Sequence, residues 1–453
     1  MEERFNEKST LKLLLKFSIG PVIIELSSCL AGALRNYWIN KAFGKHGLSW
    51  VGCVFVPRCI IHGFSQMIYV STTTTLGYLY GNKKGNMIQI VLFDLFRICV
   101  IFSVVIPVLI IILAFILAEV MNTNTKSREN GIFYLTPLCF GFIFTSCFAL
   151  FRGVLQGNGL SIMNGVFHLC SFFLSVCVLE PLFLMFLKTG IYGVSLSMVL
   201  SEGIVCIVTA YFLMKKEYIK ISNNVSWFSE FSNETISGLG AGFSSLFIQI
   251  SAVIPCLIIQ KYLTLSSKLI GEYEEVMGSW NVMCNVYDII TSVVYAVMHG
   301  LLPTGSFMFG SKNGKQLLFL TFQAFCISLV WSLTVCLCFI IYPNKFLKIW
   351  MSDSKFNEIL KKMINPSVYT GYLCSFRVTI CTLFQIIKHG KFAIVINLIS
   401  QLFGLPLFST LLYFRDKKNP TGIVWCYTFS DILGMFFSIL FSYIPFNIIS
   451  KII

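Results

Sequence analysis

Long apolar runs, with charges confined to short clusters between them, constrain this chain more than any other feature of its sequence. A helix needs about 20 mainly apolar residues to cross the hydrocarbon core of a bilayer, and the 453-residue chain repeats such runs from end to end. Only 12% of its residues are charged, about half of what soluble proteins carry. Open strands would leave backbone groups unpaired in lipid, so the runs are expected to be helices.

Twelve apolar runs can be counted, in two sets of six. The first set lies near 13–34, 50–75, 88–118, 132–155, 161–187 and 191–214. The second set lies near 238–263, 278–305, 317–342, 364–387, 392–414 and 422–449. The sequence therefore predicts an all-α membrane protein of about twelve spans in two pseudo-symmetric six-helix lobes. The predicted N-terminal lobe covers 1–214, a polar linker covers 215–237 and the C-terminal lobe covers 238–453.

The two halves also match each other in sequence at a single offset of 229 residues. The offset places the glycine-bracketed basic turn 80–85 on 309–314. It also aligns Pro137 with Pro366, Gln156 with Gln385 and Ser201-Glu202 with Ser430-Asp431. Two related halves are typical of secondary transporters, whose binding site lies where the repeats meet. The turns themselves have a simpler interpretation as tight connections between helices.

Composition and motifs exclude several other classes of protein. The formal net charge of +14 arises from Lys and Arg that flank apolar runs, as is usual in membrane proteins, so no nucleic-acid partner is expected. The 17 cysteines are scattered without a C-x-x-C motif, and they are interpreted as small buried side chains. No nucleotide loop, metal-ligand spacing or nucleophile constellation occurs, which predicts neither an enzyme nor a cofactor or metal site.

Three groups of motifs resemble the MATE (multidrug and toxic compound extrusion) family over nearly the full length of the chain. Residues 384–391, followed by Ser400-Gln401 and Pro406-Leu407, resemble the family's F-Q-x-x-G-K … R-Q … P-L run. Residues 309–313 resemble its Y-G-A-K-N turn. Leu179-Glu180-Pro181 resembles L-D-P and is followed by Gly190-Ile191-Tyr192-Gly193 and Ser201-Glu202.

The resemblance implies two inverted-V lobes, cytosolic termini, and export of organic cations in exchange for inward H⁺ or Na⁺. On this basis we expect a monomeric antiporter of the plasma membrane for small, cationic, amphipathic xenobiotics. Three positions depart from the family pattern. The family's first-helix aspartate falls on Arg35, the asparagine before L-D-P falls on Val176, and the acid common in the seventh span is missing, with Gln249 nearest.

Carboxyl groups inside spans are candidates for ion coupling, because a charge near the bilayer centre is costly and persists there mainly for function. Glu180 is the first candidate, since it matches the family's acid and precedes Pro181; a position at a helix end in contact with water is the alternative. Glu25 lies four residues after Pro21 in an apolar helix. Asp288 lies in a polar patch, where a hydrogen bond between helices is an equal alternative.

Other polar and aromatic residues receive structural or binding roles. The repeat-equivalent acids Glu202 and Asp431 are interpreted as architectural, and Asp94 with Arg97 as a structural pair on one helix face. The candidates for the substrate cavity are three aromatic residues of the acid-bearing eighth span, Tyr287, Tyr295 and Trp280, together with Gln249, the residue nearest the position of the missing acid in the seventh span.

Two further hypotheses remain open at this stage. A flippase for lipid-linked oligosaccharides would need a cationic cavity, for which Arg35, Arg58 and Arg377 are available. A non-transporting sensor or scaffold derived from a transporter would explain the missing aspartate and asparagine. Two glycosylation sequons, at Asn224 and Asn233 in the linker, would stay bare if the linker is cytosolic.

Overall fold

A computed structural model describes residues 5, 7, 9–120, 125–219, 227–347 and 354–452. The helices of the N-terminal half are α1 Thr10–Cys53, α2 Phe55–Gly81, α3 Ile88–Val120, α4 Thr125–Phe140, α5 Phe142–Gly157, α6 Ser161–Phe172 and α7 Tyr192–Lys215. Those of the C-terminal half are α8 Asn233–Ile270, α9 Tyr273–Gly310, α10 Gly314–Ile341, α11 Pro343–Leu347, α12 Ser354–Thr370, α13 Cys374–Ile386, α14 Gly390–Asn397, α15 Gly404–Arg415, α16 Pro420–Ile423 and α17 Cys426–Ser450. The described residues contain no strand, and the all-α prediction is confirmed.

The two halves break their helices at matching positions. Helix α4, with Pro137 inside it, meets α5 at a bend of 52°. The equivalent α12, with Pro366 inside it, ends before a short 3₁₀ turn at Gly371–Leu373. In each half the aligned proline lies in the last turns of the helix that precedes the break. The repeat visible in the sequence is therefore also a repeat of the backbone.

Nine described helices are long and apolar enough to cross a membrane, or ten if the bent pair α4–α5 is one span. The predicted spans 50–75 and 364–387 are helical, as α2 and α12–α13, but they are not among these helices: α2 is less apolar, and α12 and α13 are shorter, with 17 and 13 residues. The difference has a physical reason for α2. Most of its residues are buried inside the protein, between α5, α8 and α9, so it need not be as apolar as a lipid-facing helix.

Five consecutive hydroxyl residues, 71–75, lie at the buried centre of α2. Each hydroxyl donates to the backbone carbonyl four residues earlier, at 2.7–2.8 Å. Side chains that bond to their own helix need no partner from a neighbouring helix. A polar segment can therefore be buried in the membrane interior without leaving donors unpaired.

One end of the molecule is closed by a symmetric crossing of α2 and α9. A Cβ atom added to Gly81 would overlap the carbonyl of Phe307, and one added to Gly310 would overlap the carbonyl of Tyr78. Gly81 and Gly310 are equivalent in the repeat, and so are Tyr78 and Phe307. The same contact is thus made twice, once from each half. Phe5, which is 1% exposed, stacks on Phe307 at this end with ring centroids 4.5 Å apart.

An ion pair on α3 holds the chain that enters the C-terminal half. Asp94 pairs with Arg97, as their spacing predicts, and also accepts hydrogen bonds from Ser232 N and Thr235 Oγ1, both at 2.9 Å. Arg97 donates in turn to the carbonyl oxygen of Trp227 at 2.9 Å. Both acid and base are buried, so the pair has a structural role in attaching residues 227–235 to α3.

Candidate functional site

A cavity of about 490 Å³ lies between the two halves, beyond the closed crossing of α2 and α9. This volume is in the range of pockets that hold drug-sized ligands. The N-terminal half contributes Glu25, Ser28, Cys29, Arg58, His62, Gln66 and Val70. The C-terminal half contributes Ser245, Ile248, Gln249, Asp288, Thr291, Ser292, Tyr295, Met298, His299, Leu302, Arg377, Val378, Cys381, Thr382, Gln385 and Asn397. His62 and Asp288 are exposed to the cavity, so it can be entered.

Glu25 lies on α1 within the N-terminal wall of the cavity. His299 of α9 brings its Nε2 within 3.9 Å of the Glu25 carboxylate. One turn further along α1, Ser28 bonds His168 at 3.2 Å. The Nδ1 atoms of His168 and His299 have no hydrogen-bond partner among the described residues. This wall therefore presents the Glu25 carboxylate to the cavity, with the His299 imidazole of the other half beside it.

Asp288, Gln249 and Tyr295 lie in the wall formed by α8 and α9. The three were candidates from sequence, and the structure brings them to the same cavity as Glu25. No basic group of the described residues lies within the 4.0 Å ion-pair distance of the Asp288 carboxylate. Asp288 is thus an acid available to a cation in the cavity.

Glu180 is placed differently from the other two acids proposed for ion coupling. Its carboxylate accepts from Arg35 Nε at 2.8 Å, and the Glu180 side chain is fully buried. Trp38, one turn after Arg35, donates to the carbonyl of Val176 at 3.0 Å. Glu180 is not among the described residues that line the cavity. At Arg35 a base therefore replaces the expected acid and neutralises Glu180, while the neighbouring Trp38 bonds the backbone of Val176.

The remaining candidates lie in the lobe interiors. Tyr287 donates to Asp431 Oδ1 at 3.2 Å, and Trp280 packs in an apolar cluster around α9 and α12. Neither residue is among the described residues that line the cavity. Glu202, the repeat equivalent of Asp431, accepts from Thr145 instead. The repeat-equivalent acids thus hold different partners, each inside its own half.

Sequence reasoning did not select Arg152 as a site residue. It is 9% exposed on α5, donates to Asn164 Oδ1 at 3.3 Å and lies over the ring of Tyr69 at 5.3 Å. Arg152 falls near the predicted end of a span, where a basic residue is ordinary. The repeat gave only a partial signal, because the offset of 229 places Arg152 on Cys381, one turn after Arg377 in the equivalent helix.

Solved structures similar to this one are transporters. A multidrug resistance MATE family transporter of the MOP superfamily, in an outward-facing conformation, is 16% identical; the match covers 99% of this chain and 98% of that one, with a TM-score of 0.88. A MATE crystal structure in complex with MaL6 is 17% identical over 99% of both chains, with a TM-score of 0.89. A MOP superfamily transporter from Pyrococcus furiosus is 18% identical over 100% of this chain and 98% of that one, with a TM-score of 0.86.

These likenesses establish the two-lobe fold. No curated protein matches the chain in sequence. The family model named MatE matches residues 21–182 and 252–409. The matched segments cover more than half of the chain, and each of them includes one of the two cavity acids, Glu25 and Asp288. This chain is a multi-pass integral membrane protein with a transporter fold, and it belongs to the MatE family.

Proposed function

We propose that this protein is a secondary-active antiporter that exports amphipathic organic compounds bearing a cation in exchange for H⁺ or Na⁺. The observation that carries the proposal is a single cavity, of about 490 Å³, with an acid from each half: Glu25 on α1 and Asp288 on α9. A carboxylate attracts a cation across a few ångströms, and most strongly where water is scarce. A coupling ion and a cationic substrate would then compete for the same two groups.

The closed crossing of α2 and α9 supports alternating access. It seals one end of the cavity by two equivalent contacts, so the halves can separate there as rigid bodies and close elsewhere. With the termini in the cytosol of the plasma membrane, the sealed end is cytosolic and the cavity is reached from outside. We propose that the protein does this as a monomer, because the cavity is formed within one chain.

Glu25 and Asp288 carry the coupling in this proposal, and Glu180 supports the lobe. Arg35 already neutralises Glu180, so a proton that arrived there would have to break an ion pair of 2.8 Å. Among the described residues, the ion partner of Glu25 within 4.0 Å is the His299 imidazole, at 3.9 Å. The proposal therefore moves the principal role from Glu180, which the family resemblance favours, to Glu25.

The test is dye transport in proteoliposomes. Tetramethylrhodamine methyl ester, a permanent monocation, serves as substrate, and a pH gradient or a Na⁺ gradient is imposed separately. Glu25→Gln is expected to abolish gradient-driven transport of the dye. Glu358→Gln, which neutralises an exposed acid paired with Lys362 on α12, is the matched control and should transport as wild type does.

Four results would contradict the proposal. Wild-type coupling in Glu25→Gln would remove Glu25 from the mechanism, and loss of coupling in Glu180→Gln alone would restore Glu180. The absence of any gradient-driven transport, with normal insertion, would favour a sensor or scaffold. Of the three arginines available to a flippase, Arg58 and Arg377 line the cavity, whereas Arg35 pairs with Glu180. Translocation of a lipid-linked sugar, without transport of the dye, would favour the flippase hypothesis.

A further inference from the structure

Two repeat-equivalent rings at the closed end, Tyr78 on α2 and Phe307 on α9, are each covered by a side chain of the other half. The ring of Phe5, which precedes α1, stacks on Phe307 with centroids 4.5 Å apart and 11° between the ring planes. The Nζ of Lys388, between α13 and α14, lies 3.4 Å from the centre of the Tyr78 ring. Each half therefore places one side chain on the ring of the other half beside the crossing of α2 and α9.

The start of each half reaches across to the other half in the same way. Phe5 and Glu234 are equivalent at the offset of 229 residues. Phe5 contacts Phe307 on the second helix of the C-terminal half. Glu234, in the first turn of α8, lies 3.0 Å from Lys84 Nζ, in the turn that follows the second helix of the N-terminal half. The contact is thus apolar in one copy of the repeat and ionic in the other.

The apolar contact is the more deeply buried of the two. Phe5 is 1% exposed, whereas the side chain of Lys84 is 48% exposed. An exposed ion pair contributes little to stability, because both charges are well solvated when they are apart. Removal of an aromatic side chain from water is a larger contribution. The Phe5 contact should therefore contribute more to the closed state than the pair of Lys84 and Glu234.

Phe5 lies between the two halves and belongs to the N-terminal one. Its ring centroid is 5.1 Å from that of Phe17 on α1 and 6.2 Å from that of Tyr80 on α2. If the halves separate at this end, Phe5 can keep these two contacts but must lose Phe307. Its buried ring then meets water, so the Phe5 contact opposes the separation.

The contacts that hold Phe5 in place lie outside the helices that form the crossing. Glu7, two residues after Phe5, pairs with Lys16 of α1 at 3.3 Å, and both side chains are partly exposed. Thr10, the first residue of α1, donates to Gln323 Oε1 of α10 at 2.9 Å. Because Phe5 precedes the first helix, it can leave its position without the unfolding of any helix. Glu234 and Lys84, in contrast, are fixed by the helix and the turn that carry them.

We propose that Phe5 is a latch, which holds the two halves together at the closed end and releases that end when it withdraws from Phe307. The pair of Lys84 and Glu234 is a second, weaker latch at the equivalent place in the repeat. The start of the chain thereby sets the population of the closed form. A modification or a partner that displaced this segment would open the closed end. The inference concerns the control of access, and it goes beyond the proposed transport activity.

Hydrogen exchange at the C-terminal ends of α2 and α9, measured by mass spectrometry on the full-length protein in nanodiscs, reports this opening. Phe5→Ala is expected to speed exchange there at least about 10-fold, which corresponds to about 1.4 kcal/mol. Phe5→Leu keeps an apolar contact without the ring and should fall between the wild type and Phe5→Ala. Phe186→Ala, which removes a ring that is 78% exposed, is the matched control and should exchange as the wild type does.

Salt distinguishes the two latches, because it screens exposed charges and not apolar contacts. Lys84→Gln should speed exchange by a smaller factor than Phe5→Ala. That factor should fall toward one when the salt concentration rises from about 0.1 M to about 1 M. The factor for Phe5→Ala should stay the same over this range.

Three results would overturn the inference. The first is exchange in Phe5→Ala as slow as in Phe186→Ala. The second is faster exchange throughout the protein together with a lower temperature of thermal unfolding, which would make Phe5 an ordinary packing residue. The third is an effect of Phe5→Ala that disappears at high salt. If Phe5→Ala does not fold, Phe5→Leu is subject to the same three criteria.

The exchange experiment needs no substrate, so its result is independent of the proposed function. The expected exchange pattern without any gradient-driven transport would support the latch and contradict the antiporter. Transport without the pattern would do the reverse. The two failures are therefore distinguishable.

Discussion

Replacing Gly81 or Gly310 by alanine should weaken the closed end of the cavity by similar amounts. A Cβ atom on Gly81 would lie 2.9 Å from the carbonyl carbon of Phe307 and closer still to its oxygen. Carbon atoms prefer about 3.5–4.0 Å, so α2 and α9 must separate by at least about 0.6 Å at this crossing. Overpacking of this kind costs about 1–3 kcal/mol, or a factor of about 5 to 150 in the population of the sealed form.

The two substitutions should not add. A separation of α2 and α9 that relieves Gly81→Ala also makes room for Gly310→Ala, because both methyl groups enter the same crossing from opposite sides. The double variant is therefore expected to lie close to either single variant. Coupling of this kind is what a double-mutant cycle measures between residues in contact.

Hydrogen exchange of the C-terminal ends of α2 and α9, measured in nanodiscs by mass spectrometry, reports the opening of this end. Gly85→Ala is the matched control, because no atom lies within 4 Å of its Cβ position. Gly81→Ala and Gly310→Ala should each exchange faster than this control by a similar factor. Exchange as slow as in Gly85→Ala, or full additivity in the double variant, would refute the symmetric seal.

Three further outcomes follow from the structure. Glu180→Gln should lower the free energy of unfolding by about 3–5 kcal/mol, since it leaves the Arg35 charge unpaired. The double variant with Arg35→Gln should regain part of this stability in thermal unfolding. Simple additivity of the two substitutions would argue against the pair. Lys388 lies at the closed end, with its Nζ over the ring of Tyr78 at 3.4 Å. Burial there lowers the pKa of Lys388 to about 8, below the value of about 10.4 that the exposed residue would have. The sealed form then holds fewer protons than an open form in which Lys388 is exposed, so raising the pH from 8 to 10 should favour the sealed form. Hydrogen exchange of the closed end that depends equally on pH in Lys388→Gln would contradict this. Asn233, at the start of α8, should carry no sugar after expression in a eukaryotic cell, and a mobility shift removed by glycosidase would place this end outside the cytosol.

The helices and the two-fold repeat could be predicted because they depend on local composition and on residues at one fixed offset. The contact between Arg35 and Glu180 could not, because it joins residues 145 positions apart. The prediction ended the first span at residue 34 because Arg35 begins a polar stretch. In the structure α1 continues to Cys53, since the Arg35 charge has its partner inside the protein.

The residues of the cavity could likewise be predicted only in part. Glu25, Asp288, Gln249 and Tyr295 were selected because polar residues inside apolar spans are few, and all four line it. Tyr287 is next to Asp288 in sequence but points into its own half, toward Asp431, because successive residues on a helix face different directions. Which face of a span meets the cavity depends on tertiary packing, and one sequence does not reveal it.

The hydroxyl residues 71–75 of α2 have a consequence for movement between the halves. Each of them donates its proton within its own helix. Glycines of the neighbouring helices, Gly153 on α5 and Gly238 and Gly242 on α8, lie directly against this stretch. A shift of α2 relative to these glycines would leave all five of these bonds intact. Movement between the halves at this contact therefore does not require any of the five hydroxyl groups to exchange its hydrogen-bond partner.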